Sequence, residues 1–134
     1  MNVETEVADE LTALRAAVDG VDGAIVATSD GLLVAHVLPE AEQSQTAALI
    51  SAVVGLARHA VELTGRGELR EASIRGTSGH VLFFAVGDTA VLAVLTGVEV
   101  NLALVQLRAR PVVRRLTALA PRFVHFTAPS TATG

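Results

Sequence analysis

The side chains able to do chemistry are few in this chain and poorly grouped. Four histidines, His36, His59, His80 and His125, lie far apart, with no pair at the spacing that sets two metal ligands on one helix face and no HExxH motif. They are expected at the surface or at sheet ends. Ser29 precedes Asp30, but no GxSxG segment supplies a nucleophile elbow, so the pair reads as turn chemistry, where Ser and Asp bond to nearby backbone. Gly65-Arg66-Gly67 follows an expected helix and Gly76-Thr77-Ser78-Gly79 joins two expected strands, whereas a phosphate loop runs from a strand into a helix. There is no lysine, hence no Walker lysine, and no cysteine, which excludes disulfides, thiol nucleophiles and Cys-ligated zinc. No catalytic, cofactor-binding or metal-binding residue is assigned, and no cofactor is expected.

The arginines are the exception to this poverty. All ten basic residues are arginine, and Arg108, Arg110, Arg114, Arg115 and Arg122 cluster where no acid follows Glu99. Charge is split along the chain: residues 1–50 carry net −8 and residues 51–134 net +4, for an overall −4. That balance argues against nucleic acid, which demands a basic footprint, and an aromatic content of 3% argues against single-strand stacking. The arginines are expected to pair with Glu4, Glu6, Asp9, Glu10 and Asp19 of the first helix; the alternative is that they dock an acidic partner or a membrane surface. An arginine finger on another protein's nucleotide is chemically open, but nothing singles one out.

The 134 residues suit one domain, and 51% hydrophobic against 18% charged is enough to form a core. The acidic N-terminus is unlike a secretory signal, and apolar runs are too often interrupted for a membrane span of about 20 residues, so a cytoplasmic protein with no integral membrane segment is expected. Apolar Val7, Leu11, Leu14 and Val18 lay one stripe along a helix over residues 7–19, which Gly20 to Gly23 then break. Strands are expected over residues 24–28 and 32–38, joined by the hairpin signal Asp30-Gly31, with Pro39 ending the second. Three more follow over residues 68–75, 80–86 and 89–96 as a meander with short glycine turns. The first of these is the most polar, with Arg70, Glu71, Ser73 and Arg75, and so reads as a sheet edge. Asn101 caps a last helix reaching Leu119, which Pro111 should kink or restart. The fold expected is α+β, a central five-stranded antiparallel sheet in the order α-ββ-α-βββ-α with helices on both faces. Residues 1–127 form the domain and residues 128–134 a frayed tail.

Between the hairpin and the meander, residues 42–64 form the most informative helix. Its polar groups fall mainly on one narrow stripe, Ser44, Ser51, Arg58 and Glu62, while most of the remainder is Ala, Leu, Ile and Val. A helix lying on a sheet needs an apolar arc of about 100° or slightly more, and this one is far wider. The simplest cover is the same helix of a second copy across a twofold axis. The expected dimer interface is Leu49, Ala52, Val53, Leu56 and Ala60, with Arg70, Ala72 and Ile74 continuing the sheet into the partner.

In element order and local sequence the chain resembles the bacterial Roadblock/LC7 domain family, related to dynein light chains of the roadblock type. The residues carrying the resemblance are Val21-Asp22-Gly23-Ala24-Ile25-Val26 before Ser29-Asp30-Gly31-Leu32, the Ala-rich helix from Ala47 to Leu63, and Ile74-Arg75-Gly76 before Gly79. Phe84-Ala85-Val86-Gly87-Asp88 before Val91-Leu92-Ala93-Val94, and Asn101-Leu102-Ala103-Leu104, complete it. Ala103 stands where many relatives have Gly. The resemblance implies a homodimer with a continuous sheet and paired middle helices. It further implies a non-enzymatic regulator or scaffold that binds a small Ras-like GTPase, in some cases stimulating GTP hydrolysis, alongside a sensor-kinase-like protein. The partner-facing surface is expected at Ser44, Ser51, Arg58 and Glu62, flanked by His59, as an exposed stripe. A small-molecule-sensing α/β domain, with His36 as its polar group, and a purely structural adaptor are the alternatives.

Overall fold

In a computed structural model, which describes residues 2–38 and 43–126, the chain folds as three helices, five strands and a C-terminal 3-10 helix. Pro39, Glu42 and the expected tail 128–134 lie outside the described residues, as does the side chain of His125. The order is α1 (Val3–Ala17), β1 (Val21–Thr28), β2 (Leu33–Val37), α2 (Gln43–Leu63), β3 (Glu71–Arg75), β4 (His80–Val86), β5 (Ala90–Thr96) and α3 (Leu102–Leu119), then the 3-10 helix Ala120–Phe126.

All strand pairings are antiparallel, in the order β2-β1-β5-β4-β3, so the three apolar strands β1, β5 and β4 are central and β3 is an edge, as its charge indicates. Alternation along the strands sorts the core into two halves. Ala24, Val26, Leu82, Phe84, Leu92 and Val94 face α1 and α3. Ile25, Ala27, Phe83, Val91 and Ala93 face α2. One sheet face thus has two helices and the other has one.

Helix α1 begins earlier than its apolar stripe indicates, because the Asn2 side chain accepts a hydrogen bond from the Thr5 amide at 2.8 Å and caps the first turn. Strand β1 also begins earlier, at Val21: Asp19 and Gly20 make the turn, Gly20 at φ +97°, and Gly23 sits inside the strand where the pairing with β5 shifts register. Helix α3 continues through Pro111 as one helix from Leu102 to Leu119, so the restart allowed for at that proline does not occur. The donor that proline removes would have served the carbonyl of Leu107, which lies on the solvent side of the helix, where water can take its place.

One expectation about membranes needs correction. Helix α2 is long and apolar enough, by length and composition, to cross a bilayer. Its inner face is instead taken by β1, β2 and β5, and Ser51 and Arg58 are both bonded to the sheet end.

Gly23 offers a test of this packing. A Cβ there would lie 2.5 Å from the Val37 carbonyl oxygen and 2.8 Å from Leu38 Cδ2. Gly23→Ala should lower unfolding stability by about 1–3 kcal/mol through overpacking in the β1–β2 ladder, measured by urea titration; an unchanged midpoint would contradict the tight approach.

Candidate interaction surface

Helix α2 has two unlike sides. Toward the sheet it presents Ala47, Ile50, Ser51 and Val54, at steps of three, one and three residues, all buried. Away from the sheet, Leu49, Leu56 and Leu63 are 64%, 72% and 79% exposed. They recur every seven residues, and exposed Ala52 and His59 fall between them, which is the spacing of a helix-pairing seam. Exposed Ala48, Gly55 and Ala60 keep the helix surface low beside the leucines.

The same side of the sheet is bare at β3. Register places Ala72 and Ile74 beside Phe83 and Val81 on the α2 face, while Glu71, Ser73 and Arg75 share the other face with Phe84, Leu82 and His80. Ile74 is 49% exposed and Ala72 half-buried. Exposed apolar groups therefore stand both on the outer side of α2 and at the sheet edge on the α2 face.

Of the expected interface residues, Leu49, Ala52, Leu56 and Ala60 lie on this outward side, Val53 packs half-buried against the sheet, and Arg70 is exposed.

The expected partner stripe is exposed only in part. Ser51 is buried, and its hydroxyl donates to the carbonyls of Thr28 at 2.7 Å and Ala47 at 3.0 Å. Arg58 leans over the end of the sheet, where Nη2 donates to the carbonyls of Gly87 at 3.2 Å and Ala90 at 3.4 Å. Ser51 and Arg58 thus fasten α2 to the ends of the β1–β2 and β4–β5 turns, while Ser44, His59 and Glu62 are exposed as expected. Those turns are also tied to each other, since the Ser29 amide donates to the Thr89 carbonyl at 2.8 Å and the Ser29 hydroxyl to the Asp88 carbonyl at 3.2 Å. Ser29 thus has a turn role, but it bonds the β4–β5 turn and not the nearby backbone expected.

Arginine pairing within the chain is partly as expected. Arg115 meets Glu10 at 2.9 Å and Arg122 meets Glu6 at 2.9 Å, joining α3 and the 3-10 helix to α1. Arg110 goes elsewhere, to Glu71 on β3 at 3.0 Å. Among the described residues no group of three or more His, Asp or Glu side chains converges as a metal site would require. His36 is half-buried on β2, with a buried Nδ1 that has no hydrogen-bond partner.

A five-stranded antiparallel sheet with two helices on one face, and on the other one helix that is apolar on both sides, defines an interaction module. The chain belongs to the Roadblock/LC7 domain family, whose profile matches residues 7–96. It is 30% identical over 102 residues to the uncharacterized protein MJ1340 of Methanocaldococcus jannaschii, an alignment covering 75% of this chain and 89% of that protein. Its fold is also that of a Roadblock/LC7 domain from Streptomyces avermitilis, at 23% identity and TM-score 0.77 over 87% of this chain and 97% of the other. MglB of Myxococcus xanthus shares the fold at 19% identity and TM-score 0.81, over 87% and 96% of the two chains.

The two serines of the α2 stripe separate structural from surface roles. Ser51→Ala should cost about 1 kcal/mol through loss of the buried hydrogen bond to the Thr28 carbonyl, which keeps only the Gly31 amide, and Ser44→Ala less than about 0.5 kcal/mol. Thermal unfolding of the two variants checks this, and equal effects would contradict the inward role of Ser51.

Proposed function

We propose that this chain is a non-enzymatic, homodimeric regulator or scaffold that binds a small Ras-like GTPase in a cytoplasmic signalling complex, with a sensor-kinase-like protein as a further partner. The observation that carries this reading is the exposure of Leu49, Leu56 and Leu63 along the outer side of α2, with Ile74 exposed on the same face of the sheet. Burying each large side chain is favourable by about 1.5–3 kcal/mol, so water is a poor neighbour for four of them on one side. A second copy brings the same groups, and a twofold pairing covers both sets at once.

The edge strand supports the same geometry. An antiparallel β3–β3 pairing centred on Ser73 sets Glu71 opposite the partner's Arg75 and Ala72 opposite the partner's Ile74, twice over. Opposite charges and apolar groups facing each other are the favourable cross-strand pairs. Membership of the Roadblock/LC7 family supports a regulatory role, with the GTPase as the partner such a dimer serves. Whether it accelerates hydrolysis or only holds the GTPase in place is read directly from nucleotide turnover.

Two measurements test the proposal. Leu56→Glu should convert a dimer to monomer or aggregate by light scattering, because two carboxylates would have to be buried in the seam; an unchanged dimer would contradict the interface. Mixing the purified protein with a small Ras-like GTPase from the same genome should give a complex in the GDP or the GTP state. Complex formation without faster hydrolysis identifies a scaffold, and no complex in either state contradicts the partner.

A further inference from the structure

The free edge of β3 has a parity that its pairing with β4 fixes. On the β4 side the Arg70 carbonyl accepts from the Ala85 amide at 3.0 Å, and the Gly76 amide donates to the Gly79 carbonyl at 2.7 Å. Backbone groups alternate between the two sides of a strand, so even-numbered residues turn theirs to β4, and Glu71, Ser73 and Arg75 turn theirs to the open edge. The side chains of these three residues also share one face, the α3 face, opposite Phe84, Leu82 and His80. Glu71 is bonded to Arg110, while Arg75 is exposed and forms no ion pair among the described residues.

An antiparallel second copy has few ways to meet this edge, because both strands must offer outward-facing backbone groups. Centred on Ser73, all three outward residues fall in hydrogen-bonded pairs, and each Glu71 meets the Arg75 of the other copy. Centred on Ala72 or Ile74, only two of the three find each other, and Arg75 or Glu71 is left without its opposite charge. Centred on Glu71 or Arg75, a like-charged pair falls on the axis, which is unfavourable. Backbone and charge therefore select the same register.

Charge on an edge strand ordinarily discourages pairing with other strands. Here the order acid, neutral, base is its own antiparallel complement, so the charges that repel a strand of unrelated sequence attract an identical one. We propose that Glu71 and Arg75 are specificity-determining residues, a charge code that admits a second copy of this chain at the β3 edge and turns away strands without the complementary order. Specificity of this kind combines an attraction for the right partner with a repulsion for wrong ones. The inference rests on the homodimer reading above and adds to it what selects the partner.

Two single substitutions in the full chain test the code. Glu71→Arg sets like charges opposite each other twice in its own dimer, and so does Arg75→Glu, but a mixed pair of the two variants restores both attractions. By sedimentation, each variant alone should dimerise at least about fivefold more weakly than the natural chain. By native mass spectrometry, heterodimer should make up at least about 80% of the dimers in an equimolar mixture, where random pairing gives about half, and the excess should shrink with added salt. Heterodimer at the random share, or variants that self-pair as tightly as the natural chain, would overturn the code and leave the dimer standing. A natural chain that is monomeric would overturn both. Glu71→Arg also faces Arg110, so if circular dichroism shows that variant misfolded, Ser73→Glu and Ser73→Arg, which meet on the axis, replace the two variants, and the same outcomes decide.

Discussion

A five-stranded sheet has two apolar faces, and this chain supplies two helices to one and a single helix to the other. Everything distinctive about the molecule follows from that inequality. On the first face α1 and α3 cover the central strands; Arg115–Glu10 joins α3 to α1, and Arg122–Glu6 joins the 3-10 helix to α1. On the second face α2 lies over β1, β2 and β5, while Ala72, Ile74 and Val81 at the β3 end are partly open. Apolar surface left in water is unfavourable in proportion to its area, so the account places another copy there.

Helix α2 is fixed on the sheet by polar contacts as well as by packing. Ser51 is bonded to the end of β1, and Arg58 spans the β4–β5 turn. These hydrogen bonds are directional, whereas the contacts of Ala47, Ile50 and Val54 permit sliding and rotation. Fastened in this way, the helix holds Leu49, Leu56 and Leu63 outward in one line. Fastening on one side and display on the other are properties of the same rigid element.

Much of this was legible in the sequence, and the departures have physical causes. The Asp30-Gly31 hairpin, the glycine-turned meander, the polar edge strand and the excess apolar arc of α2 are local patterns, and the structure bears out each as an element of the fold. Ser51 was misjudged because a serine on a helix suggests solvent, yet its place among Ala47, Ile50 and Val54 is the inward period, and that spacing was there to be read. Arg58 was beyond sequence reasoning, since its carbonyl partners at Gly87 and Ala90 come together only through the β4–β5 turn. The same holds for Arg110, whose acid is on β3 and not on α1. Pro111 carries a strong local signal for a break, yet the helix continues through it, with the preceding turn exposed at Leu107 and the inner side anchored by Val105, Ala109, Val112 and Leu116.

The central claim is that the outer side of α2 faces the same side of a second copy. The absence of cysteine from the natural chain makes a background-free test possible. Single cysteines introduced by Leu49→Cys, Ala52→Cys and Leu56→Cys, and by Ala13→Cys on the exposed side of α1, are oxidised under identical conditions and resolved on a non-reducing gel. The account predicts a disulfide-linked dimer from at least one of the three α2 positions and none from Ala13→Cys. Cross-linking at no α2 position, or equally at Ala13→Cys, would contradict it.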